Sequence, residues 1–116
     1  MNLDHRTQES VDIVKLPERL MMADAASARA ILKDIIDQGS GKLILNLSAT
    51  SFMDSSGLAV IVSALQAARK RDGDIYLCGM SKTVRALFEL TRLQTVFQIF
   101  DDETVALRAF GGTMST

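Results

Sequence analysis

The sequence predicts a single α/β domain: a central, mostly parallel sheet of four to five strands with about four helices packed against it. Three observations carry that expectation. Short apolar runs of strand length alternate with longer segments whose apolar residues recur at helical spacing, the pattern of parallel β-α-β units with right-handed crossovers. The chain has 116 residues, a length that suits one domain around one core. Its composition, 47% hydrophobic and 23% charged, is that of a folded chain rather than a disordered one. The domain is placed at residues 1–110, and 111–116 ("GGTMST", counting from its first glycine) reads as a loose tail.

Each element has its own signal. Residues 3–7 are placed as an edge strand, pairing with the next through a polar turn around Glu9-Ser10. "VDIVKL" (11–16) reads as a strand that Pro17 stops. In "ADAASARAILKDIIDQG" Ala28, Ile31, Leu32, Ile35 and Ile36 fall at helical spacing, with Gly39 as the stop. "KLILNL" (42–47) is a short apolar run of buried-strand type. The next helix carries a core stripe of Leu58, Ile61, Leu65 and Ala68, and ends near Asp72-Gly73. "DIYLCG" is a strand, "SKTVRALFELTRL" a helix with Val84, Leu87 and Phe88 facing inward, "TVFQIF" a strand, and "DDETVALRAF" a last helix with acids in its first turn.

Composition excludes several functions. A formal net charge of −1 gives no broad attraction to nucleic acid or an anionic membrane, and 5% aromatics leave little for stacking bases. Cys78, the only cysteine, reads as a buried strand residue, and no metal-binding cysteine cluster exists. The polar start has no signal-peptide pattern and no stretch is long enough to span a membrane, so the default location is the cytoplasm. No cofactor or metal is expected.

The chemistry concentrates in "SFMDSSGLAV", residues 51–60. A serine nucleophile needs a base, and the only histidine, His5, lies in the opening segment. The Gly-x-Ser-x-Gly elbow is absent. "GSGK" (39–42) lacks the earlier glycine and the hydroxyl residue after lysine of a phosphate loop, so it reads as a helix stop and turn. Helix capping explains one of the residues Asp54, Ser55 and Ser56, not all three. Gly57, in a first helical turn, suits close approach by another protein to the serine.

The segment from "LNLSATSFMDSSGL" to "FQIFDDETVAL" resembles the STAS domain family, in particular the bacterial anti-sigma-factor antagonists. The Asp-Ser-Ser-Gly-Leu core, the glycine-containing turn before "IYLCG" and the F-x-I-F…E-x-x-A-L ending carry the resemblance, which spans about residues 11 to 110. It implies a phosphoacceptor at Ser56, the serine directly before the glycine, with Ser55 as second choice. It further implies binding of an anti-sigma factor, a serine kinase of the histidine-kinase-like ATPase type, when Ser56 is unmodified. A metal-dependent Ser/Thr phosphatase would restore that state. The chain would then be a substrate and switch, not an enzyme. One stretch departs from the family: "PERLMMADAAS" has Pro17 for a glycine and Met21 where an acid is usual, with Asp24 three residues later.

With parallel strands, the loops holding Met21 and Met22, then Met53 to Ser56, then Met80 share one edge of the sheet. Four of the six methionines therefore gather beside Ser56, and methionine suits adaptable binding surfaces. Val60, Ser63 and their neighbours on the second helix form a small, uncharged face opposite the core stripe. The partner-binding set read from the sequence is Met21, Met22, Asp24, Met53, Asp54, Ser55, Gly57, Val60, Ser63 and Met80. The alternative reading, also by resemblance, is a constitutive STAS accessory subunit of a lipid-transport ATPase complex.

Overall fold

The computed structural model describes residues 2–111, so Met1 and residues 112–116 of the expected tail lie outside the described residues. Strand β1 (Asp4–Gln8) turns into β2 (Val11–Lys15), and a two-residue β3 (Arg19–Leu20) precedes helix α1 (Met22–Gln38). Next come β4 (Lys42–Asn46), a two-residue β5 (Phe52–Met53) and α2 (Ser55–Arg69). β6 (Asp74–Cys78), α3 (Lys82–Leu90), a short 3-10 turn (Leu93–Thr95), β7 (Gln98–Phe100) and α4 (Glu103–Ala109) complete the chain.

The main sheet has the order β1-β2-β4-β6-β7. β2, β4, β6 and β7 are parallel, and β1 alone runs antiparallel, against β2. The β1–β2 turn places Glu9 and Ser10 at φ 53° and 68°, the two left-handed residues whose twist matches a tight hairpin.

Both faces of the sheet are covered, which is why its central strands are apolar throughout. Alternation along each strand divides the side chains. Val14, Leu43, Leu45, Ile75 and Leu77 pack with α1, α2 and α3; Val11, Ile13, Ile44 and Cys78 pack with Ala106 and Leu107 of α4. The stripe Leu58, Ile61, Leu65 and Ala68 is buried in the first of these layers, as its spacing predicts.

Three expectations are corrected or refined. Val60 is fully buried and Ala64 nearly so, because α1 lies against α2 there; the small residues let the helices approach and do not face a partner. Leu87 does pack on the core as expected, but it is half-buried, while Val84 and Phe88 of the short helix α3 are fully buried. The last strand begins only at Gln98: Thr91 Oγ1 donates to the Leu87 carbonyl at 2.8 Å, Arg92 turns left-handed (φ 61°), and the 3-10 turn takes up part of the apolar run.

Candidate functional site

The site is assembled where the loop after β2 meets the loop after β4. Pro17 ends β2 and leaves its carbonyl to accept from Thr50 Oγ1 at 2.9 Å, a hydroxyl that is itself buried. The amides of Ser51 and Phe52 donate to the Glu18 carbonyl at 2.9 and 3.0 Å. β3 and β5 then pair in parallel, Arg19 with Phe52 and Leu20 with Met53. This two-stranded sheet fixes the chain just before the serines.

Asp54 is the N-cap of α2. Its Oδ1 accepts from the Gly57 amide at 3.0 Å, satisfying one of the free donors of the first turn. Its Oδ2 accepts from the Met22 amide, also at 3.0 Å, so one carboxylate caps α2 and ties down the start of α1. These bonds hold its pKa below the ordinary value, the Gly57 amide foremost; burial opposes, and the Met22 and Ser56 amides add to the lowering. Asp24 acts locally, its Oδ2 accepting from the Met21 amide at 3.2 Å and closing the first turn of α1.

Ser55 and Ser56 are the first two residues of α2, Ser55 exposed and Ser56 half-buried. Gly57 is buried, which corrects the role expected for it. A Cβ there would overlap the Leu20 carbonyl oxygen of β3 and crowd Met53 Cγ. The close approach is made by the domain's own backbone, not by another protein.

The expected methionines divide by exposure. Met22 is 75% exposed, whereas Met21 is half-buried. Met53 and Met80 are half-buried and pack on the main core. Ser63 is half-buried and lines a shallow cleft between α1 and α2. Two apolar residues were not singled out in the sequence: Phe52 is 54% exposed on β5 and Leu90 82% exposed on α3. Met53 joins the second to the site, lining an apolar cleft of about 240 Å³ with Val84, Leu87 and Leu90. Phe52 sits one residue from Met53 in the Asp-Ser-Ser-Gly stretch; Leu90 carries no sequence signal, because only the fold brings α3 beside β5.

A family model for the STAS domain matches residues 2–106. The chain belongs to the STAS domain family. The sequence is 28% identical over 99 residues to an anti-sigma-B factor antagonist of Staphylococcus aureus, covering 85% of this chain and 92% of that protein. An anti-sigma-factor antagonist (STAS) domain protein from Planctomyces limnophilus superimposes with a TM-score of 0.86 at 17% identity, over 94% of this chain and 97% of that one. The Bacillus cell fate determinant SpoIIAA in its phosphorylated form gives a TM-score of 0.72 at 22% identity, over 93% of this chain and 99% of that one. Among the described residues no helix is long and apolar enough to cross a membrane.

The histidine and the cysteine lie elsewhere in the fold. His5 Nε2 bonds Asp12 Oδ1 at 2.8 Å beside the edge strand, so the one histidine of the sequence does not stand by the serines. Cys78 is fully buried and its thiol pKa is pushed up to about 12, chiefly by burial and further by Glu103 and Asp102.

Proposed function

We propose that this STAS domain is a phosphoregulated anti-sigma-factor antagonist that engages its partner when Ser56 is unmodified. The observation that carries the reading is the placement of Ser56. It lies in the first turn of a helix capped by Asp54, a carboxylate that also holds the amide of exposed Met22, and it follows exposed Phe52 by four residues. The name of the Staphylococcus relative and the phosphorylated state of SpoIIAA support the same reading.

The physical logic of the switch is charge. A phosphate adds about −1.5 to −2 at pH 7, whereas the whole chain carries −1. At a helix N-terminus the free amides and the dipole tolerate it, so the fold survives. Next to Asp54, and inside an apolar contact through Met22, Phe52 and Met53, it repels and must be desolvated, so binding does not survive. The partner is an anti-sigma factor that is also the serine kinase, of the histidine-kinase-like ATPase type. A metal-dependent Ser/Thr phosphatase resets the serine. All of this takes place in the cytoplasm, and the domain acts as substrate and switch rather than as an enzyme.

The test is incubation with the candidate kinase and ATP, followed by phosphopeptide mapping and a binding assay. Phosphate appears on Ser56; Ser56→Ala removes the acceptor and keeps binding; Ser56→Asp weakens binding incompletely, since a carboxylate carries less charge than a phosphate. Phosphate on Ser55 alone moves the acceptor by one residue. Phosphate on neither serine, with Ser56→Ala behaving as wild type in cells, overturns the switch.

A further inference from the structure

The shallow cleft between α1 and the second half of α2 opens about two turns along α2 from Ser56 and has a volume of about 360 Å³. Its charged lining is Arg29 and Lys33 of α1, Lys70 and Arg71 at the end of α2, and a single carboxylate, Asp37. Four cations against one acid is a strong local excess in a chain whose formal charge is −1. An ordinary solvated helix surface intersperses both signs. Other acids do not restore the balance here: Asp34 lines the cleft on the other side of α1, Asp74 pairs with Arg69 at 3.7 Å, and Asp72 is not part of the lining.

Two of the cations have work inside the domain. Lys33 Nζ donates to Asp37 Oδ2 at 2.7 Å, one turn along α1. Arg71 donates to the carbonyls of Asp37 and Gly39 at 3.0 and 2.8 Å, closing the end of α1. Those carbonyls carry no formal charge, so the guanidinium is held in place with its own charge uncancelled. Arg29 and Lys70 differ: among the described residues their side chains make no ion pair. Between them the lining is small and uncharged, with Ser63 and Ala67 half-buried. Capping of α1 accounts for Arg71 and an i, i+4 pair for Lys33, but neither explains why two free cations flank a small-residue trough.

We propose that this cleft seats an acidic helix of a partner protein, its carboxylates reaching Arg29 and Lys70 and its body lying over Ser63 and Ala67. All four cations are exposed, and one exposed ion pair is worth little, so an occupant gains by meeting several at once. That argues for a long occupant over a small anion. An extended peptide would leave its backbone donors and acceptors unpaired, because only helices border the cleft, whereas a helix satisfies its own. Carboxylates one turn apart on that helix match the one-turn spacing of Arg29 and Lys33. Nucleic acid would meet the net negative charge of the rest of the chain. The proposal does not rest on the antagonist reading.

The test is a titration of the full chain with an alanine-rich helical peptide of about 15 residues, glutamate at every fourth position, followed by amide resonances in two-dimensional NMR. Saturable shifts are expected at Arg29, Lys33, Ser63, Ala67 and Lys70, with none at Ser55 to Gly57, and added salt weakens the binding. Arg29→Gln and Lys70→Gln, both surface changes that keep the fold, each weaken it by about two- to fivefold, the scale of one exposed ion pair. Arg108→Gln removes the same charge from α4, on the opposite face of the sheet, and leaves binding unchanged. Equal binding of the peptide with glutamine in place of glutamate overturns the proposal, as does equal weakening by Arg108→Gln. So does the absence of saturable shifts up to about 1 mM peptide. Tighter binding of tripolyphosphate or of a single-stranded DNA oligonucleotide overturns the protein partner in favour of a general polyanion.

Discussion

At the scale of single residues, Asp54 and Gly57 decide the shape of the site. Gly57→Ala exchanges glycine for a better helix former, which alone favours folding by up to about 1 kcal/mol. The added methyl meets backbone, the Leu20 carbonyl, which cannot swing aside as a side chain can. Overpacking of this kind costs about 1–3 kcal/mol, so the urea midpoint should fall; a rise would mean that β3 yields freely. Asp54 makes stability depend on pH. Its pKa is lowered in the fold, foremost by the Gly57 amide, so its contribution is present above the unfolded value of 3.8 and disappears as pH falls through the lower folded value. Asp54→Asn should therefore flatten the acid limb of a stability-against-pH curve while leaving the slope above pH 5 unchanged, about a unit beyond that range. The sequence shows Asp, Ser, Ser and Gly together but not what each one does. Asp54 could be seen as a cap; that it also holds Met22, thirty-two residues back, requires the tertiary fold.

At the scale of elements, apolar periodicity located β2, β4, β6 and β7 and all four helices, because burial against one core imposes it, whereas β1 is exposed along its length and was placed by the polar turn at Glu9-Ser10. β3 and β5 escaped, since two residues cannot display a period and their pairing joins distant loops. The α2 face was misread for a related reason. Small uncharged residues on a helix suit a partner from another chain and a neighbouring helix of the same chain equally, and only the position of α1 separates the two. The contrast can be measured with two substitutions. Leu65 is 3% exposed, so Leu65→Ala should lower unfolding free energy by about 2–5 kcal/mol. Met22 is 75% exposed, so Met22→Lys should change it by less than about 0.5 kcal/mol while weakening partner binding. A collapse of stability in Met22→Lys with binding intact would remove Met22 from the surface.

At the scale of the whole molecule, the architecture separates the proposed switch at Ser56 from the parts that hold the fold. The central strands β4 and β6 are covered on both faces and paired on both edges, whereas Ser56 sits in a first helical turn held by one carboxylate and a two-stranded patch. The edge strand is secured as well: Arg6 of β1 pairs with Glu103 at the start of α4, and Asn46 of β4 donates to the same carboxylate at 2.7 Å. Opening of the β4 and β6 amides thus requires global unfolding, while the amides of Met22 and Gly57 depend on Asp54 alone. A phosphate on Ser56 places about two further negative charges beside that carboxylate and offers oxygens to the same first-turn amides. Hydrogen exchange on the phosphorylated and unmodified chains should therefore agree at Leu43 to Leu45 and Ile75 to Leu77, and differ at Met22 and Gly57. Faster exchange across the central strands in the phosphorylated chain would show that the modification loosens the whole domain, and loss of binding would then follow from unfolding rather than from charge at the surface.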